Sequence, residues 1–112
     1  MENEFIKYFL MIDATLIETS CFSLDVASRR LTVNSVVINL RNKEFHLLIY
    51  FMRNVGIILS RAKILEDVWD ANIFCNTNTV DVHVSNLRQK FKAHMKEDPI
   101  KTVYCIGYRF EL

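Results

Sequence analysis

A chain of 112 residues, 51% hydrophobic and 24% charged, has the composition of one ordinary globular domain, because a chain of that size buries roughly two-thirds of its unfolded surface. Its net charge of +1 names no partner, and its three cysteines (Cys21, Cys75, Cys105) are too widely spaced for a disulfide framework or a C-x-x-C pair. The scattered histidines His46, His83 and His94 give no metal-ligand spacing, so neither a metal nor another cofactor is expected.

Residues 1 to 20 mix apolar and acidic residues without turn chemistry and read as a linker or an additional N-terminal strand. Their longest apolar stretch, Phe5 to Ile12, is broken by Lys7 and is much shorter than the roughly 20 residues of a membrane span. It lacks a basic leader and is followed by Asp13 and Glu18, which argues against a secretory signal. A cytoplasmic protein with no membrane partner is expected. From Cys21 the chain turns to short β-rich pieces, Phe22 to Val26, Arg30 to Val33 and Val36 to Leu40, separated by Ala27-Ser28-Arg29 and Asn34-Ser35. They predict a small antiparallel meander, the start of a domain over residues 21–112.

The hydrophobic period then changes from two to about 3.6. Phe45, Leu48, Ile49 and Met52 predict a helix over Asn42 to Arg53, stopped by Asn54-Val55-Gly56. Ser60 is a suitable N-cap for a second helix with an apolar face of Ile64, Leu65, Val68 and Trp69. A loop over Asp70 to Thr77 leads to a third helix, with Asn78 as its expected cap and Asp81 at its N3 position. Val80, Val84, Leu87 and Phe91 form its buried stripe, while Thr79, His83, Asn86 and Lys90 repeat the same four-three-four spacing on another face. After Pro99, Ile100 to Tyr104 and Tyr108 to Leu112, joined by Cys105-Ile106-Gly107, predict a terminal hairpin.

Strands, three helices and a hairpin suit an α+β winged helix-turn-helix, in which the third helix meets a DNA major groove and the hairpin is the wing. Between Thr77 and Lys96 four bases (Arg88, Lys90, Lys92, Lys96) stand against the single acid Asp81, a candidate phosphate footprint. Asn86 suits adenine, Thr79 and Arg88 suit phosphates, His83 suits a base or phosphate, and Val82 suits a thymine methyl. Thr102, Tyr104, Tyr108 and Arg109 are candidates in the wing, whereas Phe110 is expected to complete the core. There is no Gly-rich phosphate loop and no nucleophile–base motif, so an enzyme is not expected. The rival reading is a winged-helix protein–protein interaction module without DNA binding.

Lys43-Glu44-Phe45, Leu47-Leu48, Leu59-Ser60-Arg61, Val68-Trp69, Thr77 to Val84, Leu87-Arg88, Thr102-Val103 and Gly107 to Phe110 together resemble the C-terminal effector domain of OmpR/PhoB-family two-component response regulators. The resemblance covers about Phe22 to Leu112 and implies an N-terminal four-stranded sheet, three helices and a C-terminal hairpin. It implies double-stranded DNA as partner, bound at direct-repeat promoter sites as a tandem dimer. The loop of Asp70, Ala71, Asn72, Ile73, Phe74, Cys75 and Asn76 would face RNA polymerase. By matched position, Asn78, Thr79, His83, Asn86 and Arg88 would face DNA, Arg61 and Trp69 would approach the backbone, and Thr102, Tyr104 and Tyr108 would belong to the wing. The Val68-Trp69-Asp70 and Thr77-Asn78 pieces are similar to the copper and heavy-metal responsive members. The chain departs from the family at Tyr104 and Cys105, where an arginine and then a glycine are usual. A sensor kinase would act only through a receiver domain, which has no counterpart in these residues and needs about as many residues again.

Overall fold

The computed structural model describes residues 16–18, 21–69 and 76–111. Strands β1 (Leu16–Glu18), β2 (Phe22–Asp25), β3 (Arg30–Val33) and β4 (Val36–Asn39) form an antiparallel sheet in that order. Alternation sets the sheet's inner face, with Phe22, Leu24, Leu31, Val33 and Ile38 buried. Asn34 and Ser35 both take positive φ, 47° and 71°, and pair Val33 with Val36 across a two-residue turn. Two left-handed residues give the mirror-image turn whose twist matches that of the flanking strands.

Helix α1 (Asn42–Arg53) has the expected limits. The Glu44 carboxylate accepts the Arg41 N–H at 2.9 Å, satisfying an amide that precedes the first turn. Phe45, Leu47, Leu48, Phe51 and Met52 are buried, with Ile49 packed at the margin of the core. Gly56 follows at φ 80°, and its N–H donates to Phe110 O at 2.9 Å. A two-residue strand, β5 (Leu59–Ser60), then leads into α2 (Arg61–Val68), where Ser60 Oγ accepts the Lys63 N–H at 3.1 Å, as expected of an N-cap.

Helix α3 (Asn78–Lys92) departs from expectation at its start. Asn78 is its first residue and not its cap: Asn76 Oδ1 accepts the Asn78 N–H at 3.0 Å. Asp81 therefore sits one position beyond N3 and serves neighbouring side chains, as described below. The expected stripe of Val80, Val84, Leu87 and Phe91 is fully buried.

The hairpin of β6 (Ile100–Val103) and β7 (Gly107–Phe110) joins β5 in a second sheet, ordered β5-β7-β6. Gly107 belongs to the strand, not to the connecting loop, which is Tyr104-Cys105-Ile106. A Cβ at Gly107 would stand 2.0 Å from Leu59 O, so the passage of β5 requires glycine there. Phe110 is buried as expected and stacks on Phe51, with centroids 5.9 Å apart. Phe22 meets Phe91 edge-on at 5.4 Å, joining the first sheet to α3. Among the described residues no helix is long and apolar enough to cross a membrane.

Candidate nucleic-acid interface

One turn takes about 3.6 residues, so α3 divides into faces roughly 100° apart. Opposite the buried stripe lie Asn78, Val82, Ser85, Gln89 and Lys92, all exposed, at steps of four, three, four and three. Val82 is 56% exposed, an uncovered apolar contact among polar neighbours. This outermost ridge includes the expected Asn78 and Val82, and adds Ser85 and Gln89, which sequence reasoning missed. The polar face of Thr79, His83, Asn86 and Lys90 is rotated to one flank, and all four are half-buried.

Two residues of that flank, His83 and Lys90, are bonded within the fold. His83 Nδ1 donates to Thr79 O at 2.8 Å, so a neutral ring keeps Nε2 as an acceptor and only the imidazolium offers a second donor. The His83 ring meets Trp69 edge-on at 5.0 Å. Trp69 is only 7% exposed, and Lys43 Nζ lies 5.7 Å from its centroid. Trp69, expected to approach a DNA backbone, thus packs against α3 through His83. Asn86 and Gln89 line a groove against β4, together with Val37, Asn39 and His94.

Lys90, expected in the phosphate footprint, has partners within the fold. Its Nζ donates to Asn39 O at 2.9 Å and to the Glu44 carboxylate, and Glu44 is buried. A buried carboxylate is tolerable only when paired, and Lys90 supplies that pairing.

The opposite flank carries the wing. Arg88 Nη2 donates to Ile100 O at 2.9 Å and to Thr102 Oγ1 at 2.6 Å, while Arg88 Nε lies 3.2 Å from Asp98 Oδ2. Asp81 Oδ1 accepts from both Arg61 Nε at 2.8 Å and the Tyr108 hydroxyl at 2.6 Å. The guanidiniums of Arg61 and Arg88 stand 5.4 and 5.2 Å from the Tyr108 ring centroid. Tyr108 is 5% exposed, so its hydroxyl braces α3 against β7 and is not a surface donor. Of the two arginines expected at phosphates, Arg88 uses Nε and Nη2 to fix the hairpin beside the helix, and Arg61 uses Nε to join α2 to α3 at Asp81. Burial pushes the Tyr108 hydroxyl above its ordinary pKa, and the bond to Asp81 adds to the shift. Burial alone would raise the Asp81 carboxyl, but Tyr108 and Arg61 hold it below its ordinary value.

Of the expected basic surplus, Lys92 and Lys96 remain exposed. In the wing Thr102 is exposed and bonded to Arg88, Arg109 pairs with Glu111, and Tyr104 is 87% exposed. Cys105 takes φ 64°, the left-handed conformation that favours glycine. Of the expected polymerase-facing loop, Asp70 to Cys75 lie outside the described residues, and Asn76 is exposed at the start of α3. No group of three or more potential metal ligands occurs among the described residues.

The chain matches the family described as "Transcriptional regulatory protein, C terminal" over residues 34–110. It is 37% identical over 102 residues to the transcriptional regulatory protein YclJ of Bacillus subtilis, covering 90% of this chain and 44% of that protein. The chain thus spans less than half the length of that relative. The solved DNA-binding domain of Bacillus subtilis CssR is similar at 34% identity and TM-score 0.70, over 80% of this chain and 98% of that one. The Klebsiella pneumoniae RstA DNA-binding domain, solved in complex with the RstA box, is similar at 25% identity and TM-score 0.74, over 88% of this chain and 98% of that one.

Proposed function

This chain belongs to the family of transcriptional regulatory protein C-terminal domains of the OmpR/PhoB type, and we propose that it is the DNA-binding output domain of a two-component response regulator. The observation that carries this reading is the outer ridge of α3. Five residues on one line, Asn78, Val82, Ser85, Gln89 and Lys92, are exposed, while Asp81, His83, Arg88 and Lys90 on the flanks are bonded within the fold. A fifteen-residue helix is about 22 Å long and fits a major groove about 12 Å wide. Amides, a hydroxyl and an apolar methyl pair on that line match the donors, acceptors and thymine methyls of base edges.

The wider assignments rest on the same family membership. The domain binds direct-repeat promoter sites as a tandem dimer, and the segment from Asp70 to Asn76 faces RNA polymerase. A sensor kinase acts on it only through a receiver domain, and the setting is the cytoplasm. The test is a titration of the chain into random-sequence and selected duplexes at two salt concentrations. Salt-dependent binding with enrichment of a repeated half-site is expected. No binding at low salt would favour the protein-interaction module instead.

A further inference from the structure

The loop closing the wing, Tyr104-Cys105-Ile106, carries no charge. It nonetheless presents two large side chains to solvent, Tyr104 at 87% and Ile106 at 51% exposure. Tyr104 contributes little burial to the fold, and Ile106 is half exposed. The loop spans three residues between the paired Val103 and Gly107, and Cys105 supplies the left-handed residue that such a reversal uses. The tip is a short, fixed projection.

Its placement follows from the bonds behind it. Arg88 ties β6 to α3 through Ile100 O and Thr102 Oγ1, and Tyr108 ties β7 to Asp81. Helix and hairpin therefore approach a duplex as one body. The guanidiniums near the wing are already engaged: Arg61 with Asp81, Arg88 with Asp98 and Arg109 with Glu111. Lys101 is half-buried within β6. The tip meets DNA with an aromatic and an aliphatic side chain, and no cation stands among its three residues.

On the reading that α3 enters a major groove, we propose that Tyr104 and Ile106 form an apolar wedge in the adjoining minor groove, where they partly unstack a base step and bend the duplex. Apolar side chains inserted there unstack steps and kink the helix. Pyrimidine–purine steps yield most easily, so the wing selects sequence by deformability at positions the recognition helix does not touch.

The test uses the whole chain and a duplex of about 30 base pairs that it enriches from a random library, with a dye pair at the ends and 2-aminopurine at a flexible step beside the α3 site. Binding is expected to raise both energy transfer and 2-aminopurine fluorescence. Tyr104→Ala should bind roughly tenfold more weakly, by loss of a stacking contact, with both signals reduced and the salt slope unchanged because no charge is lost. Tyr104→Phe should keep affinity and bend. The wedge is overturned if the unaltered complex is straight, if Tyr104→Ala bends the duplex fully, or if Tyr104→Phe loses as much as Tyr104→Ala, which would make the hydroxyl a phosphate contact. Those outcomes leave helix-borne DNA binding standing. Failure of the unaltered chain to bind any duplex at low salt removes the regulator reading and the wedge with it.

Discussion

Replacing Lys90 with alanine separates the two roles a basic residue on α3 can play. Glu44 is 1% exposed, and its carboxylate accepts from the Arg41 N–H and from Lys90 Nζ. Without Lys90 the buried charge keeps one amide and no counter-charge. Removing one partner of a buried pair costs about 3–5 kcal/mol. The Lys90 side chain is 28% exposed, so water reaches the vacated site and reduces the loss to about 2–3 kcal/mol. That is a large share of a domain stability of about 5–15 kcal/mol and lowers Tm by roughly 8–15 °C. Urea unfolding followed by the fluorescence of Trp69, the single tryptophan, measures it. The double variant Glu44→Gln/Lys90→Ala should recover about half, since no charge is then stranded. The salt slope of DNA binding should be unchanged for Lys90→Ala, whereas exposed Lys92, if replaced by alanine, should lower it by about 0.9. A Lys90→Ala variant of ordinary stability whose salt slope falls by that amount would refute the argument and return Lys90 to the phosphate backbone.

Gly107→Ala places a Cβ 2.0 Å from Leu59 O and should cost about 3 kcal/mol or more. Gly56→Ala meets nothing within 4 Å but must hold φ 80°, so it should cost only about 1 kcal/mol; similar losses in denaturant titrations would contradict this ordering. Because the folded pKa of Asp81 lies below its ordinary value of 3.8, its contribution is complete above that pH and is lost as pH falls through the lower folded value. Asp81→Asn should therefore flatten the acid limb of the stability curve, and an unchanged limb would remove Asp81 as its source. Asn86→Ala and Gln89→Ala should each reduce preference for a selected duplex by about 1–3 kcal/mol. Equal losses on selected and random duplexes would make the residue a backbone contact.

Periodicity made the elements legible and left the orientation of α3 unresolved. The buried stripe of Val80, Val84, Leu87 and Phe91 was readable because apolar residues have one place to go. Polar residues have two, water or a partner, and the sequence pattern does not distinguish them. Thr79, His83, Asn86 and Lys90 keep helical spacing, yet all four are half-buried, His83 against Trp69 and Lys90 against β4 and Glu44. The outward ridge contains Val82, an apolar residue that hydrophobicity alone favours burying but helical spacing places off the stripe, between Asn78 and Ser85. Strand β5 was missed because two residues have no period, and its register depends on Gly107, far away in sequence. The cap of α3 was misplaced by one residue because Asn78 is a good capping residue by type, whereas the backbone starts the helix at Asn78 and makes Thr77 the cap.

The same distinction bears on how the domain binds. Among the described residues Arg61, Lys63, Arg88, Lys90 and Arg109 pair with acids of this chain, so the net charge of +1 cannot be moved wholesale to the DNA face. Sequence-independent affinity grows with the number of phosphates neutralised, and exposed Lys92 and Lys96 supply few. One copy is therefore expected to bind random duplex weakly and to depend on the fit of its ridge and wing to particular base steps. Weak single sites become useful when two lie on one duplex and the first copy raises the effective concentration of the second. A domain that uses Arg61, Arg88 and Lys90 to hold the recognition helix in register gains pre-organisation at some cost in general attraction to DNA, and on the proposed reading two half-sites on one duplex would recover that affinity.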